Sequence, residues 1–447
     1  MRRDNYMLVD LSVQNFASIN EVQELSMVAS TSTNEKCELD NTYELNRFGV
    51  KEVLKSAAIF GANGSGKTNI VMAISVLKNL VLDSLSSNDN NAIKRVVPFL
   101  LKENYFDVPS EFEVSFLAEG NLYRYGIAIE NGEIEEEWLY WTKTSRETML
   151  FHREKQAINY NQRSFSEAKL FTKKEGDRLL VDKTKPTVPF ISVLSQFDGE
   201  KSVIVTDWFN KVQVISGLRE NAFKRFTVDL FQDNEHFKEW ALEILSSLQI
   251  DDINVVEFDR ELPIRTKKAV FDEDLRDAFS TLEGYFEKNK IKDKRLEIVK
   301  RGSNSQLISL PMSIESEGTQ KLIYLLGPLY DLIINNEILI IDEFDNKFHT
   351  LLCKFIIELY NKKNVGSSQI ILTCHDTNLL TSDLFRRDQI WFVEKNERHE
   401  SEIYSLVEYK EHYTRKGNSY SRDYLQGKYG AIPLFSNLTE FEEKVDV

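Results

Sequence analysis

Apolar and polar positions along this chain follow two rhythms, and the order in which they alternate outlines a fold. Residues 7–14 (MLVDLSVQ) alternate with period two and predict a strand, followed by a turn at Asn15-Phe16-Ala17-Ser18. The polar stretch from Ser30 to Asn46 predicts a surface loop, and Ala57-Ala58-Ile59-Phe60 a short buried strand entering a glycine-rich turn. Over Thr68–Leu85 the apolar positions Ile70, Ala73, Ile74, Leu77 and Val81 share one side of a helix. Period two returns at Glu111 with Phe112, Val114 and Phe116, and Asn131-Gly132 marks a hairpin before Trp138.

Residues 146–185 are rich in Lys, Glu and Gln and carry no clear period. From Pro189 to about Tyr285 the pattern is mostly helical, as in KSVIVTDWFNKVQVI and HFKEWALEILSSL. After Gln306 helical and strand rhythms alternate again. They predict helices over 317–335 and 351–361, and strands over 338–341, 369–373 and 389–393. The expected fold class is therefore α/β, with a core split in two. Residues 1–145 would form its first part with an antiparallel β subdomain, 146–300 an inserted helical lobe, and 301–447 its second part.

A chain of 447 residues exceeds one compact core and implies two or three substructures. The net charge of −15 argues against a protein that coats nucleic acid through its overall field. A local groove stays open, since Lys288–Arg301 carries seven cations against two acids. Cys37, Cys353 and Cys374 have neither metal-ligand nor disulfide-framework spacing, which favours a reducing, cytoplasmic setting. The longest apolar run, Leu322–Ile334, is interrupted by Pro328 and Asp331, so no membrane span is expected.

Candidate chemistry concentrates in three places. GANGSGKT, Gly61 to Thr68, fits G-x-x-x-x-G-K-[ST] between a predicted strand and a predicted helix. In that pattern Gly61, Gly64 and Gly66 let the backbone close on a phosphate, with Asn63 and Ser65 in the loop. Lys67 reaches the β/γ-phosphates, and the Thr68 hydroxyl is placed for Mg²⁺. ILIIDEFDNKFH then sets Asp342 and Glu343 at the tip of a buried strand, Asp342 to hold Mg²⁺ through water and Glu343 to orient an attacking water. His375, after the apolar strand QIILTC, can offer an imidazole N–H to a γ-phosphate. The third place is Ser316-Glu317-Gly318 at the head of a helix. A helix cap accounts for its composition, but beside a phosphate loop it reads as a second anion-binding end. One nucleotide needs one phosphate loop, so this end would serve a nucleotide held by a second copy, in a homodimer enclosing two ATP molecules.

This order of motifs resembles the ABC-type ATPases of the SMC/RecF class: a P-loop NTPase head with an antiparallel β subdomain and an inserted helical arm. Ser316-Glu317-Gly318-Thr319 stands where that class has its Ser-Gly-Gly signature, and His349 stands at its D-loop. The chain is more closely similar to stand-alone prokaryotic ATPases of the abortive-infection type, RloA and the first component of AbiL, with PARIS and Septu ATPases as cousins. NFASI (15–19), FGANGSGKTN (60–69, adding Asn69), PSEFEVSF (109–116), ESEGTQKL (315–322), IDEFDNKFH (341–349), TCHDTNLL (373–380), RRDQIWFVEK (386–395) and YLQGKYGAIP (424–433) carry that resemblance. It implies an ATP- and Mg²⁺-dependent dimerisation switch in phage defence, with Glu343, His375 and Lys67 catalytic and a companion nuclease, often Toprim- or RloB-like. Three departures stand out: no glutamine lies between Lys67 and Gln156, Ala17 follows Asn-Phe where relatives often have a basic residue, and Glu317 replaces the first signature glycine. An SMC/RecF-like DNA repair or chromosome scaffold, clamping DNA with the lobe and the 288–301 run, is the alternative.

Overall fold

Ser56–Phe60 forms a strand with all five residues buried, as a short apolar run bounded by turn residues should. The computed structural model describes residues 6–31, 41–86, 92–103, 107–216, 220–259, 292–364, 366–409 and 419–432. The chain divides into two units, Met1–Gly217 with Asp331–Val447, and Leu218–Tyr330.

The first unit contains a six-stranded sheet, in the order Val212–Ile215, Ile338–Ile341, Gln369–Cys374, Ser56–Phe60, Ile390–Lys395 and Ser401–Ser405. Its first five strands run parallel, and the last is antiparallel to its neighbour. Parallel strands release their carboxyl ends along one rim, where an open α/β sheet places its ligands. The segment after Phe60, the Asp342-Glu343 pair after Ile341 and His375 after Cys374 all leave from that rim. The same unit holds the expected antiparallel sheet, nine strands from Thr172–Glu175 at one edge to Gln23–Ser26 at the other, with Asn131-Gly132 joining Asn121–Glu130 to Glu133–Thr142. One hydrophobic cluster joins both sheets to the helix Lys67–Asp83, from Leu8, Phe112 and Phe116 to Ile59, Ile74, Leu77 and Ile340.

A buried glutamine stitches the two sheets. Gln369 Oε1 accepts from Leu8 N at 2.6 Å, while its Nε2 donates to Leu8 O and Leu54 O, both at 3.0 Å. Gln389 ties strand Ser56–Phe60 to the residue before strand Thr42–Arg47, donating to Ser56 O at 3.0 Å and accepting from Asn41 Nδ2 at 2.6 Å. Both side chains are fully buried, and each satisfies backbone groups that the ladders leave over.

The second unit contains the helices Glu220–Asp233 and Glu235–Leu245, and an antiparallel sheet ordered Asp252–Asp259, Lys292–Arg301, Leu307–Pro311. Helix Glu317–Asn335, expected over the same residues, begins in this unit and continues through its boundary. The unit's bounds differ from the lobe expected over 146–300. Residues 147–181 lengthen the nine-stranded sheet, because alternating Leu150, Ile158 and Val181 give half-buried strands that the surrounding charged residues hide from a periodicity count. Helices Phe190–Gln196 and Glu200–Lys211 also belong to the first unit, the former held by Glu137, whose carboxylate accepts from Phe190 N at 2.7 Å and Ile191 N at 3.0 Å. Val212–Ile215, expected to continue a helix, is instead the edge strand beside Ile338–Ile341; its β-branched residues favour the pleat once an edge is within reach. The signature turn falls inside the second unit rather than in the C-terminal core segment.

Gln369→Leu keeps the volume but leaves the Leu8 N–H and two carbonyls without partners. It should destabilise the protein by about 2–4 kcal/mol, measured as a lowered midpoint in urea unfolding, whereas a change below about 0.5 kcal/mol would show that the stitch is replaceable.

Candidate nucleotide site

Glycine makes the loop at the carboxyl end of Ser56–Phe60 possible. Gly66 caps helix Lys67–Asp83 at φ 113°, and a Cβ there would collide with the hydroxyls of Ser401 and Ser18. Those hydroxyls form a directed chain around the loop. Asn69 Nδ2 donates to Ser18 Oγ at 2.6 Å, and Ser401 Oγ donates to Ser65 O at 2.6 Å. Ser18 and Ser401 Oγ lie 2.6 Å apart, so with the Ser401 proton already committed, Ser18 is the donor between them. The NFASI turn and the antiparallel edge strand thus brace the loop from outside. On its other flank Ala62 N donates to Ala431 O at 3.1 Å, which brings in the YLQGKYGAIP segment up to its last described residue, Ile432.

Lys67 is 5 % exposed, and its ammonium donates to Gly61 O at 2.7 Å and Ala62 O at 3.0 Å, the loop's own carbonyls. Burial pushes its pKa down to about 8, against the pull of Asp342, Asp345, Cys374 and Glu343. A cleft of about 570 Å³ opens over this lysine, lined by Asn63 to Asn69 on one side and by Asp342, Glu343, Asp345, Asn346 and His375 on the other. Gly61 lies at the root of the loop, its carbonyl on the ammonium. Ser65 Oγ is buried with no partner among the described residues, a donor left over inside the loop.

The acidic side is equally fixed. Thr373 Oγ1 donates to Asp342 Oδ1 at 2.6 Å and accepts from Glu343 N at 2.7 Å, so one hydroxyl on the neighbouring strand aligns both acids. Glu343 adopts φ 52°, which turns the chain immediately after the strand, and its Oε2 accepts from Asn346 Nδ2 at 3.1 Å. Desolvation and the nearby Lys67 cation lower the pKa of His375, so its imidazole stays neutral further into the acid range than a free histidine.

The cleft therefore gathers Asn63, Gly64, Ser65, Gly66, Lys67, Thr68, Asn69, Asp342, Glu343 and His375 from three separate stretches of sequence. Ser316, Gly318 and His349 do not line it. Ser316 and Gly318 belong to the second unit, where Ser316 Oγ accepts from Thr319 N at 3.2 Å as the cap of its helix and Glu315 pairs with Lys300 at 2.6 Å. His349 caps helix Thr350–Lys363, its Nδ1 accepting from Leu351 N at 3.2 Å. Four contributors escaped the sequence reading: Asp345, Asn346, Ser18 and Ser401. Asp345 alone had a local signal, as a third acid within four residues of the strand tip.

Anion-binding amides, a buried ammonium and a facing carboxylate pair suit the triphosphate of a nucleotide. The unpartnered Ser65 hydroxyl, and Thr68 facing Asp342 across the same cleft, fit a bound Mg²⁺–phosphate group. A triphosphate favours charged Lys67, so the complex keeps its proton to higher pH than the free protein does. Affinity for a nucleoside triphosphate should be flat below about pH 8 and fall as pH rises through it, by at most about tenfold per pH unit. Calorimetry in two buffers of different ionisation enthalpy should show proton uptake on binding above that pH, and pH-independent affinity with no uptake would contradict the assignment.

Among solved structures the chain is similar to the Smc head bound to the C-winged helix domain of ScpA, at 14% identity and TM-score 0.45 over 89% of this chain and 98% of that one. It is likewise similar to the SMC head domain from Thermotoga maritima, at 14% identity and TM-score 0.37 over 89% and 98%. A third is the Smc head domain with an extended coiled coil bound to the C-terminal domain of ScpA from Pyrococcus furiosus, at 14% identity and TM-score 0.39 over 90% and 96%. Likenesses this distant assign no function. No curated protein matches the chain at a significant level. A family model described as "AAA domain, putative AbiEii toxin, Type IV TA system" matches residues 56–381, from the strand before the phosphate loop to beyond His375. The chain belongs to that family, and its α/β architecture is a P-loop NTPase of the ABC-type ATPase-head kind.

Proposed function

We propose that the protein is an ATP-hydrolysing dimerisation switch that controls a partner effector in anti-phage defence. The observation that carries this reading is the single cleft in which the Lys67 loop faces Asp342, Glu343 and His375. The ammonium of Lys67, held by its own carbonyls, exchanges them for β/γ-phosphate oxygens. Thr68 and Asp342 are the residues that would hold Mg²⁺, which when bound neutralises phosphate charge. Glu343 orients the attacking water, and the neutral His375 ring offers an N–H to the γ-phosphate.

Glu343 is solvent-exposed in the single chain, and a carboxylate in bulk water orients a nucleophile weakly. A lid is required, and a second copy supplies one. Ser316 and Gly318 head a helix whose positive end suits phosphate, and they serve a nucleotide bound to the other protomer. His349, at the turn between the acidic pair and the next helix, faces the same interface in this arrangement. Glu317 adds a negative charge there, which slows turnover and favours a long-lived closed state. The family's description, naming a toxin and a Type IV toxin–antitoxin system, and the resemblance to RloA and AbiL components support the defence role and a separately encoded effector, of which a Toprim- or RloB-like nuclease is the best candidate. A DNA-clamping scaffold is less well supported, because Lys294, Arg295, Lys300 and Arg301, in the described part of the basic run, each pair with an acid of their own unit. Lys288 to Ile291 lie outside the described residues.

Glu343→Gln should bind ATP, lose at least about 10²-fold in turnover, and accumulate as a dimer in sizing chromatography with light scattering. Adding Ser316→Arg to that variant should return it to a monomer with ATP affinity unchanged. A Glu343→Gln protein that hydrolyses ATP normally would remove the mechanism, and a dimer indifferent to Ser316→Arg would remove the composite site.

A further inference from the structure

Asp345 has no part in the mechanism so far, although it lines the cleft two residues after Glu343. An aspartate in a tight turn ordinarily bonds the backbone of its own turn. Here those local needs are met by carbonyls: Asn346 N donates to Glu343 O at 3.1 Å, and Phe348 N to Asp345 O at 3.2 Å. The Asp345 carboxylate instead reaches a segment thirty residues on. Its Oδ2 accepts from His375 N at 2.7 Å and also from Asp376 N. Its Oδ1 is buried and accepts from none of the described residues. Asp376 is fixed in turn, since Thr350 Oγ1 donates to its Oδ2 and Asn378 N to its Oδ1 at 2.9 Å.

Two successive amides on one carboxylate oxygen make a charge-assisted clamp on the backbone that carries His375. The other end of the clamp is the turn that carries Glu343, tied to strand Gln369–Cys374 through Phe344 N on Thr373 O at 3.0 Å. Neither loop can shift without straining these bonds. We infer that Asp345 is a positioning residue, one that sets the His375 imidazole relative to Glu343 so that the ring which senses the γ-phosphate and the carboxylate which orients the water move as one body. The inference rests on the hydrolytic reading above for its catalytic consequence, though not for the clamp itself.

The test compares Asp345→Ala, Asp345→Asn, His375→Ala and the Asp345→Ala/His375→Ala pair in full-length protein. Asp345→Ala should lower kcat by about 10²-fold with KM changed by less than about threefold, because misplacement rather than binding is lost. Asp345→Asn keeps a carbonyl oxygen that accepts from both amides and should recover most of the rate. The double variant should be no slower than His375→Ala, within about twofold, since Asp345 acts through that ring. Rate losses that multiply, a KM that rises with the loss of kcat, or an Asn variant as slow as the Ala variant would each overturn the inference. Hydrogen exchange in nucleotide-free protein decides the clamp without turnover: Asp345→Ala should speed exchange of the His375 and Asp376 amides by at least about tenfold, and unchanged exchange overturns it. A wild-type protein that hydrolyses no ATP while its exchange responds as described would sink the hydrolytic reading and leave the clamp standing.

Discussion

An ammonium buried in its own backbone loop holds this site together. Lys67 is nearly inaccessible, and desolvation works against its charge. It persists because two loop carbonyls accept its protons and the carboxylates of Asp342, Asp345 and Glu343 bear on it. Removing the lysine would leave those acids facing one another with no counter-charge, and removing the acids would push the lysine further toward neutrality. The parallel order of Ile338–Ile341, Gln369–Cys374 and Ser56–Phe60 is what makes the meeting possible, since it delivers acids, histidine and loop to one rim. The nine-stranded sheet supports that rim from a distance through Gln369, whose amide replaces backbone partners between the layers.

Much of the site was legible because it is written locally. A phosphate loop is a contiguous pattern flanked by a strand and a helix, and the strand tip at Asp342 follows four apolar residues. The structure places both where the periodicity does, with the Lys67–Asp83 and Glu317–Asn335 helices and the Met7–Gln14 strand within two residues of expectation. What escaped is long-range. Ser18 and Ser401, 383 residues apart, meet beside the loop, and nothing about an isolated serine announces that. Asp345 serves backbone amides 30 and 31 residues away, a role that composition cannot mark. The bounds expected for the lobe, 146–300, differ from those of the second unit for another reason. Charged side chains on half-buried strands blur period two, and Val212–Ile215 looks helical until a neighbouring strand offers it a ladder.

The second unit carries a predicted site element that the cleft does not contain, the Ser316-Glu317-Gly318 helix tip. Within that unit the tip is firmly built, with Ser316 capping the helix, Gln320 Nε2 on Glu315 O at 2.8 Å and Lys300 on Glu315. A helix cap and an anion site use the same atoms, so the bland and the functional readings of Ser316 are compatible. In the proposed dimer, chemistry shared between protomers would make turnover conditional on association, which is what a switch needs and a constitutive hydrolase does not.

Equilibrium binding of ATP to Lys67→Ala, measured by calorimetry beside the unaltered protein at neutral pH, bears most directly on the central claim. Loss of the buried ammonium should weaken binding by about 10²-fold or more. ATP affinity within about twofold of the unaltered protein would contradict the account, because the triphosphate would then have to lie somewhere other than beneath the Gly61–Thr68 loop.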